Sequence, residues 1–504
     1  MSRKKKNVEI RFPKGLFDSL KSYLLQDSDE KHAFLFGRKV EEDSKEVVLV
    51  REVVVFDPEE IETSATSVKV DKDLAYKVFL KFYMSEYDVM VSCHSHPFET
   101  RDVWFSGIDN SNDRYLFDYF AKEIEPLKKG AKLYTMVFGQ ETIAARGYDH
   151  KKRRFEPLSR VTVLDAPMRY YTPTNLERPR RWRKEAEFDK ELFDRQIRAF
   201  GSKGQKSAAQ LKVALVGVGG TGSILAEGLV RLGFRDFVLV DGDRLEKSNL
   251  NRWQGAEPKD VGEYKVDVAK KRMERMADGV DVHVLRSDLF CRDAIDAIKT
   301  CDVLIGAVDD DKARYVLNRV ALSYMIPYFD LSSGIVTKDG TIEKVASRNV
   351  VVVPGVTECM VCTDHYLDRS KLAYAFVDEN THRELVRQKY IKGDNVKEPS
   401  PAVYGLNMLS ASTLMLELMN LLFGYKELYG NVYIDYLKAK EPFPIAWSPE
   451  PPSKRCIECR DRLGMGDEER IWELFERRKP SAFEGALNEA LEKIDDRQKA
   501  ADAS

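Results

Sequence analysis

The sequence predicts an α/β protein, with an N-terminal α+β region followed by a doubly wound parallel sheet. Three observations predict it. At 504 residues the chain is too long for one hydrophobic core. From Val213 onward, short apolar runs alternate with amphipathic stretches, the pattern of parallel strands joined by crossover helices. A glycine-rich turn, Gly217-Val218-Gly219-Gly220-Thr221-Gly222, separates the first of those runs from the stretch after it.

Residues 1–155 mix strands expected at Val47–Val55, Val89–Cys93 and Leu133–Phe138 with helices at Lys72–Tyr83 and Asn112–Lys122. Residues 156–185 turn Pro- and Arg-rich around Arg178-Pro179-Arg180-Arg181-Trp182-Arg183-Lys184 and read as a linker, its basic run a solvated connector. Residues 186–465 hold the parallel sheet. Its strands are expected at Val213–Val216, Phe237–Val240, Asp281–Leu285 and Val303–Ile305, with helices from Gly222, over Val266–Met276 and from Arg292. A polar insert, Thr363–Pro401, precedes an apolar helix, Leu406–Leu422. Residues 466–504 form a charged tail, helically spaced in Ile471–Phe475 and Leu487–Ile494 and expected at the periphery.

Lys and Arg number 81 against 83 Asp and Glu, a net charge of −2, which gives no electrostatic basis for nucleic-acid binding. The basic opening Met1–Lys6 is not followed by an apolar segment, and no run of about 18 apolar residues occurs, so a cytoplasmic protein without membrane contact is expected. Seven cysteines are too few for a disulfide framework in a chain this long. Four of them fall in two CxxC pairs, which reads as metal binding.

Two residue sets carry chemistry. The first is His94-Ser95-His96-Pro97, then Ser106-Gly107-Ile108-Asp109, with Glu30 far upstream. A hydrolytic zinc site needs ligands that leave one coordination position open, and a base for the attacking water. Histidines two apart project together at the end of a strand, which Pro97 terminates, and Asp109 adds a third ligand from the start of the next helix. Glu30, just ahead of the apolar run Ala33–Gly37, is within reach. Ser106 to Asp109 also reads as a helix capping box, and the two roles are compatible. Together these residues resemble the JAMM/MPN metalloprotease family. The resemblance implies that His94, His96 and Asp109 bind a catalytic Zn²⁺, that Glu30 is the general acid/base, and that Ser106 helps stabilise the oxyanion. Nine residues separate His96 from Ser106, more than the family usually has. Asp102 and Asp113 are the substitutes for Asp109 if that insertion shifts the register.

In the second set, the glycine-rich turn lets backbone amides approach phosphates at a helix N-terminus. Alone it would equally mark an NAD dehydrogenase. Asp241, ending the next strand, is placed for ribose hydroxyls, and Asp243, Ser248-Asn249-Leu250-Asn251-Arg252, Asp260–Lys265 and Val308-Asp309-Asp310 follow. This ordered set resembles the ubiquitin-activating and ThiF/MoeB adenylyltransferase superfamily over residues 188–465. The resemblance implies a Rossmann-like domain that binds ATP and Mg²⁺. Gly217, Gly219, Gly220, Gly222, Asp241, Ser248, Asn249 and Asp310 would line the nucleotide, Arg252 and Lys265 would neutralise its phosphates, and Asp309 would hold Mg²⁺. Arg195 matches the arginine that reaches across a homodimer into the neighbouring ATP site, and Trp253 stands where the superfamily commonly has Gln. Cys359, Cys362, Cys456 and Cys459 match its structural Zn²⁺ knuckle, in which four thiolates close a tetrahedron.

No cysteine lies between Thr363 and Ser412, where a thioester-forming residue would stand; the others are Cys93, Cys291 and Cys301. The chain then stops at an acyl-adenylate or uses a hydroxyl, for which Ser400 is the local candidate, although Pro-Ser-Pro ordinarily marks a turn. The expected function is MgATP-dependent adenylation of the C-terminal glycine of a ubiquitin-like protein, fused to a zinc isopeptidase or processing peptidase acting on the same protein, in a bacterial conjugation pathway with a conjugating enzyme as a further partner. One alternative is sulfur-carrier activation, with C-terminal trimming and thiocarboxylate formation for cofactor or cysteine biosynthesis. Another is a regulatory scaffold whose peptidase half is inactive.

Overall fold

Alternating apolar residues in the N-terminal half build one mixed sheet with helices on both faces. The computed structural model describes residues 7–42, 45–57, 59–64, 67–100, 102–173, 190–362, 367, 387, 401–437 and 445–474. The first strands are β1 (Asn7–Pro13), β2 (His32–Glu42) and β3 (Lys45–Val55), followed by the separate hairpin β4 (Ile61–Ser64) and β5 (Ser67–Val70). Then come β6 (Val89–Ser95), β7 (Lys132–Phe138), β8 (Ile143–Asp149), β9 (Arg154–Pro157), β10 (Arg160–Leu164) and β11 (Arg169–Tyr171). All but the hairpin form a sheet in the order β11-β10-β1-β3-β2-β6-β7-β8-β9. The strand period of two divides β2 between the faces. Ala33 and Leu35 join the core under helix α1 (Lys14–Leu24), while Phe34 and Phe36 join the core under α2 (Lys72–Met84) and α3 (Gly107–Tyr119).

The second sheet comprises β12 (Lys212–Val216), β13 (Asp236–Val240), β14 (Asp281–Leu285), β15 (Val303–Gly306), β16 (Tyr328–Lys338), β17 (Thr341–Val352), β18 (Asn431–Asp435) and β19 (Ile445–Trp447), in the order β14-β13-β12-β15-β16-β17-β18-β19. From β14 to β16 neighbours are parallel, and from β16 to β19 antiparallel. Chain order runs outward from β12 to β14, then returns to β15 on the other side, which makes the gap between β12 and β15 the topological switch point. Helices α4 (Asp194–Ala209), α5 (Gly220–Leu232), α6 (Lys265–Met276), α7 (Arg292–Ile298), α8 (Asp311–Ser323), α9 (Tyr404–Phe423) and α10 (Ile457–Asp461) complete it. Among the described helices α9 alone is long and apolar enough to cross a membrane by length and composition, but 61% of that stretch is buried. Ala411, Leu414, Leu418 and Leu421 lie in the main core, so α9 serves as a core helix here.

A buried ionic cluster joins the two sheets. Arg11, on β1, is 2% exposed and donates to the carbonyls of Tyr324 (3.2 Å) and Cys301 (2.9 Å) and to Asp302 Oδ1 (3.1 Å). Lys45 Nζ reaches Asp302 at 2.8 Å and Glu9 at 3.1 Å, and Arg160 pairs with both carboxylates. The other Asp302 oxygen accepts the Lys212 backbone N–H at 2.9 Å, at the base of β12. Burial alone would raise the Glu9 and Asp302 carboxyls, but the cations around them outweigh it and hold both below their ordinary range. Val40, Val47 and Leu49 of the first sheet extend the same joint into the apolar core of the second.

Several boundaries differ from those read in the sequence. The linker expected over 156–185 contains β10 and β11, and β10 pairs in parallel with β1, so the first sheet continues to Tyr171 rather than ending near 155. Pro157 and Pro167 break the local pattern, whereas Val161 and Val163, both fully buried, hold the strand in the core. The basic run centred on Trp182 lies outside the described residues, as do Ser400 and most of the expected insert. The helix expected at Asn112–Lys122 begins at Gly107, capped by Ser106. The tail is not peripheral at its start. Ile471 is fully buried and Glu469 pairs with Arg319 and Arg462, while residues 475–504 lie outside the description.

Removing Asp302 should show what the joint contributes. Asp302→Ala leaves Arg11, Arg160 and Lys45 facing Glu9 alone, and the loss of one partner from a buried ion cluster costs about 3–5 kcal/mol. Urea unfolding at neutral pH should show that fall. Because the folded-state pKa values of both carboxyls are depressed, the wild-type contribution is present above about pH 4 and drains away as pH falls through the native values. A loss under about 1 kcal/mol would mean that the joint behaves like a solvated surface pair.

Candidate functional site

The glycine turn follows β12 directly, at the switch point. Gly217 has φ +87°, open to glycine at little cost, and a β-carbon there would lie 2.5 Å from the Ala307 carbonyl oxygen beyond β15. A β-carbon at Gly222 would fall onto the Gly217 carbonyl oxygen, and one at Gly220 would meet Asn407 Nδ2 at 2.5 Å. At Gly219 the space is open, so backbone faces the crevice there. Asp241, ending β13, accepts the Val218 N–H at 2.7 Å through Oδ2 and the Asp243 N–H at 2.8 Å through Oδ1, which fixes the turn against the next strand. Burial pushes the Asp241 carboxyl up.

Around this turn the structure gathers most of the expected residues. Arg252 lies against Gly220, its Nη1 donating to the Ser248 carbonyl at 2.7 Å. Ser248 and Asn249 shape the short turn that presents it: Asn249 Oδ1 accepts the Glu246 N–H, and Ser248 Oγ donates to Glu246. Lys265, opening α6, pairs with Asp243 at 2.6 Å. Past β15, Asp309 is exposed and Asp310 caps α8 by accepting from the Ala313 N–H. Arg195 is not brought there. It stands exposed in the first turn of α4, where its neighbour Gln196 donates to the Arg231 carbonyl at the far end of α5. A helix of that length spans about 18 Å, so Arg195 lies a whole helix away from its own glycine turn.

Two residues of this crevice were not assigned from the sequence. Trp253, noted only as a departure, is 3% exposed and donates its indole N–H to the Val218 carbonyl at 2.7 Å, bracing the turn from below. Asn407, also 3% exposed, reaches the turn from α9 and accepts from Ser333 Oγ at 2.8 Å. Only the tertiary fold brings it within reach of Gly220.

The second site forms where β6 ends. His94 and His96 lie at and just past its C-terminal end, both buried. Asp109 comes from the first turn of α3, where the capping box also forms: Ser106 Oγ accepts the Asp109 N–H at 3.1 Å, and Asp109 Oδ2 accepts the Ser106 N–H. His94 Nε2 lies 3.3 Å from Asp109 Oδ1, and His96 Nε2 lies 3.4 Å from Asp109 Oδ2. Bonds of 2.0–2.1 Å to zinc give a tetrahedral edge of about 3.3–3.4 Å, so the spacing suits that ion. His94 Nε2 is buried without a hydrogen-bond partner, an orphan that a metal would satisfy. Glu30, 5% exposed, sits with Oε1 3.7 Å from His96 Nε2, held by its N–H donating to the Ser64 carbonyl. Burial raises its carboxyl. Asp113, a proposed substitute ligand, is instead paired with Arg146, and Asp102 is exposed, so the longer loop does not shift the register.

The four remaining thiols converge. Cys359 Sγ lies 3.8 Å from both Cys456 and Cys362, and Cys362 lies 3.4 Å from Cys459. Zinc–sulfur bonds of about 2.3 Å give edges of about 3.8 Å. The N–H of Cys359 donates to Cys362 Sγ and that of Val361 to Cys359 Sγ, which suits thiolate charge. With four sulfurs no coordination position is left open, so such a centre is structural.

The chain belongs to the ThiF family, whose model matches residues 193–456. It is 30% identical over 164 residues to the sulfur carrier protein ThiS adenylyltransferase of Bacillus subtilis, covering 32% of this chain and 46% of that protein. It is likewise 30% identical over 159 residues to the catalytic subunit of the NEDD8-activating enzyme of Arabidopsis thaliana, covering 30% of this chain and 34% of the relative. The chain thus spans less than half the length of either. Among solved structures, E. coli MccB with ATP aligns at a TM-score of 0.41 and 18% identity, over 54% of this chain and 76% of that one.

The crowding at Gly222 gives a direct check. Gly222→Ala should abolish binding of a fluorescent ATP analogue to the full chain while leaving the four-cysteine centre intact. Wild-type nucleotide affinity in that variant would contradict the tight turn described here.

Proposed function

We propose that the chain adenylates the C-terminal carboxylate of a ubiquitin-like protein and, at the His94/His96/Asp109 site, hydrolyses a peptide or isopeptide bond at that protein's C-terminus. The observation that carries the first half is the assembly of Gly217, Gly220, Gly222, Asp241 and Arg252 at the switch point within the ThiF-matched residues. There the carboxylate attacks the α-phosphorus of ATP, the bond to the bridging oxygen breaks, and pyrophosphate leaves. Arg252 and Lys265 face the charge that builds on the leaving group. The exposed Asp309 carboxylate is the group to hold Mg²⁺, a hard ion that neutralises phosphate charge.

Arg195 cannot serve its own crevice across the length of α5, which favours a homodimer in which it completes the neighbouring site. The thiols near the adenylation fold offer no ready acceptor. Burial pushes Cys301 up to about 12, and Cys291 lies half-buried at the start of α7. Transfer from the adenylate therefore goes to a partner's nucleophile, to sulfur, or to Ser400. The likeness to a ThiS adenylyltransferase favours sulfur-carrier activation as a second reading of the same chemistry, with a thiocarboxylate as product.

At the metal site the JAMM/MPN reading rests on the convergence of His94, His96 and Asp109, whose ligand atoms lie within 4.8 Å of one another, with Glu30 beside them. His94, His96 and Asp109 would hold a zinc ion, which would supply a Lewis acid for the scissile carbonyl and lower the pKa of the attacking water. Glu30 would take a proton from the attacking water and return it to the departing amine, and Ser106, whose Oγ accepts the Asp109 N–H, is the residue the resemblance assigns to the oxyanion.

Two experiments separate these roles. Pyrophosphate exchange into ATP should require a ubiquitin-like protein ending in a free glycine carboxylate, and both Asp309→Ala and Arg195→Ala should abolish it. Mixing those two variants should restore part of the activity, since a heterodimer keeps one intact shared site; no recovery would count against the trans arginine. For the peptidase, Glu30→Ala should keep zinc while losing cleavage by about 10²–10⁴-fold, the usual contribution of a general base. His94→Ala should lose both metal and activity, and undiminished cleavage by Glu30→Ala would remove the assigned base.

A further inference from the structure

Behind the proposed metal site lies a buried cation that none of its chemistry uses. Arg146, on β8, is 0% exposed, and its guanidinium carbon sits 3.5 Å from the ring centroid of Phe105 on one side and 3.7 Å from that of Phe155 on the other. In the plane between the rings its nitrogens reach outward. Nε donates to Asp113 Oδ2 at 3.0 Å, Nη2 pairs with the same carboxylate, and Nη1 donates to Asn110 Oδ1. Thr135 on β7, directly opposite Arg146 in the strand register, donates to Asp113 at 2.8 Å.

These contacts converge on one element, the start of α3. Asn110 follows Asp109 directly, Asp113 lies one turn further on, and Phe105 precedes Ser106, the N-cap. The Phe105 ring also stands edge-on to His94, with centroids 6.2 Å apart. Helix α3 has few other anchors: the buried residues within it are Asp113 and Phe117. Its axial position and rotation therefore depend on the Arg146 fork, and with them the place of Asp109 relative to His94 and His96. An apolar residue could fill the gap between the rings, but it could not grip Asn110 and Asp113 together.

We propose that Arg146 is the positioning residue of this metal site, locking the start of α3 and the Phe105 wall so that Asp109 meets the two histidines at coordination distance. The inference rests on the metal-site reading above. Arg146→Lys keeps the charge and fits the same volume while losing the planar fork, so it weakens the alignment without emptying the core.

Cobalt(II) titration of the full-length chain provides the test, because the ion reports each site separately. The four-cysteine centre gives intense sulfur-to-cobalt charge-transfer absorption, whereas a site of two histidines and a carboxylate gives only weak ligand-field bands. Wild type should show both signals. Arg146→Lys should weaken cobalt binding at the histidine site by about 10–100-fold, the usual effect of losing a residue that orients a ligand, and alter its ligand-field band. Its charge-transfer signal should match wild type, and Asp113→Asn should follow the same pattern. An unchanged affinity and band in Arg146→Lys would overturn the positioning role. Loss of both signals together would overturn it too, since that would mean a general structural defect. If wild type itself shows only the charge-transfer signal, the metal-site reading fails instead.

Discussion

Asp302 is the group on which the rest of the structure depends. One oxygen accepts from the backbone of β12 and so belongs to the second sheet; the other accepts from Arg11, Lys45 and Arg160, which come from adjacent strands of the first. A carboxylate this deeply buried is tolerable only when paired, and so are three cations in one place. Within the cluster the first sheet supplies Arg11, Lys45 and Arg160 against Glu9 alone, and Asp302 of the second sheet supplies the other carboxylate. Arg11 also donates to the buried carbonyls of Tyr324 and Cys301, just past the ends of α8 and α7. The two halves are therefore joined by buried ion pairs as well as by apolar contact.

On that shared frame each half gathers its candidate site residues at the C-terminal end of a strand. The glycine turn follows β12, and the histidine pair lies at the end of β6. Both use the same device: a strand delivers backbone or side chains to an edge, and the start of the next helix supplies the complementary group. At the crevice that group is the α5 N-terminus, suited to phosphate. At the histidine site it is Asp109 in the first turn of α3, where a carboxylate is stabilised by the helix end and by its capping hydrogen bond. In the proposed function the two sites act in succession, hydrolysis exposing a carboxylate that adenylation then consumes.

The residues that the structure brings together at the two candidate sites were legible in the sequence because they are local motifs with fixed spacing. Gly217, Gly220 and Gly222 need glycine for steric reasons, the CxxC pairs are set by ligand reach, and HxH on a terminating strand puts two imidazoles on one side. What was illegible depends on contacts distant in sequence. The strand β10 hides between prolines and looks like linker until it is seen buried between β1 and β11. Asn407 meets Gly220 across nearly two hundred residues of chain. Arg146 carries no motif in the sequence, and its burial shows only when Phe105 and Phe155 close over it. The two halves also read as separate domains joined by a linker, since nothing local announces that Arg11 and Asp302 meet.

Calorimetric unfolding of the full-length chain, with and without MgATP, tests most directly whether both sites ride on one body. The ionic joint predicts a single cooperative transition, shifted upward as a whole by nucleotide, with the histidine-bearing half stabilised by a ligand that it does not touch. Two resolved transitions, of which only one responds to MgATP, would contradict it and mean that the halves fold and act independently.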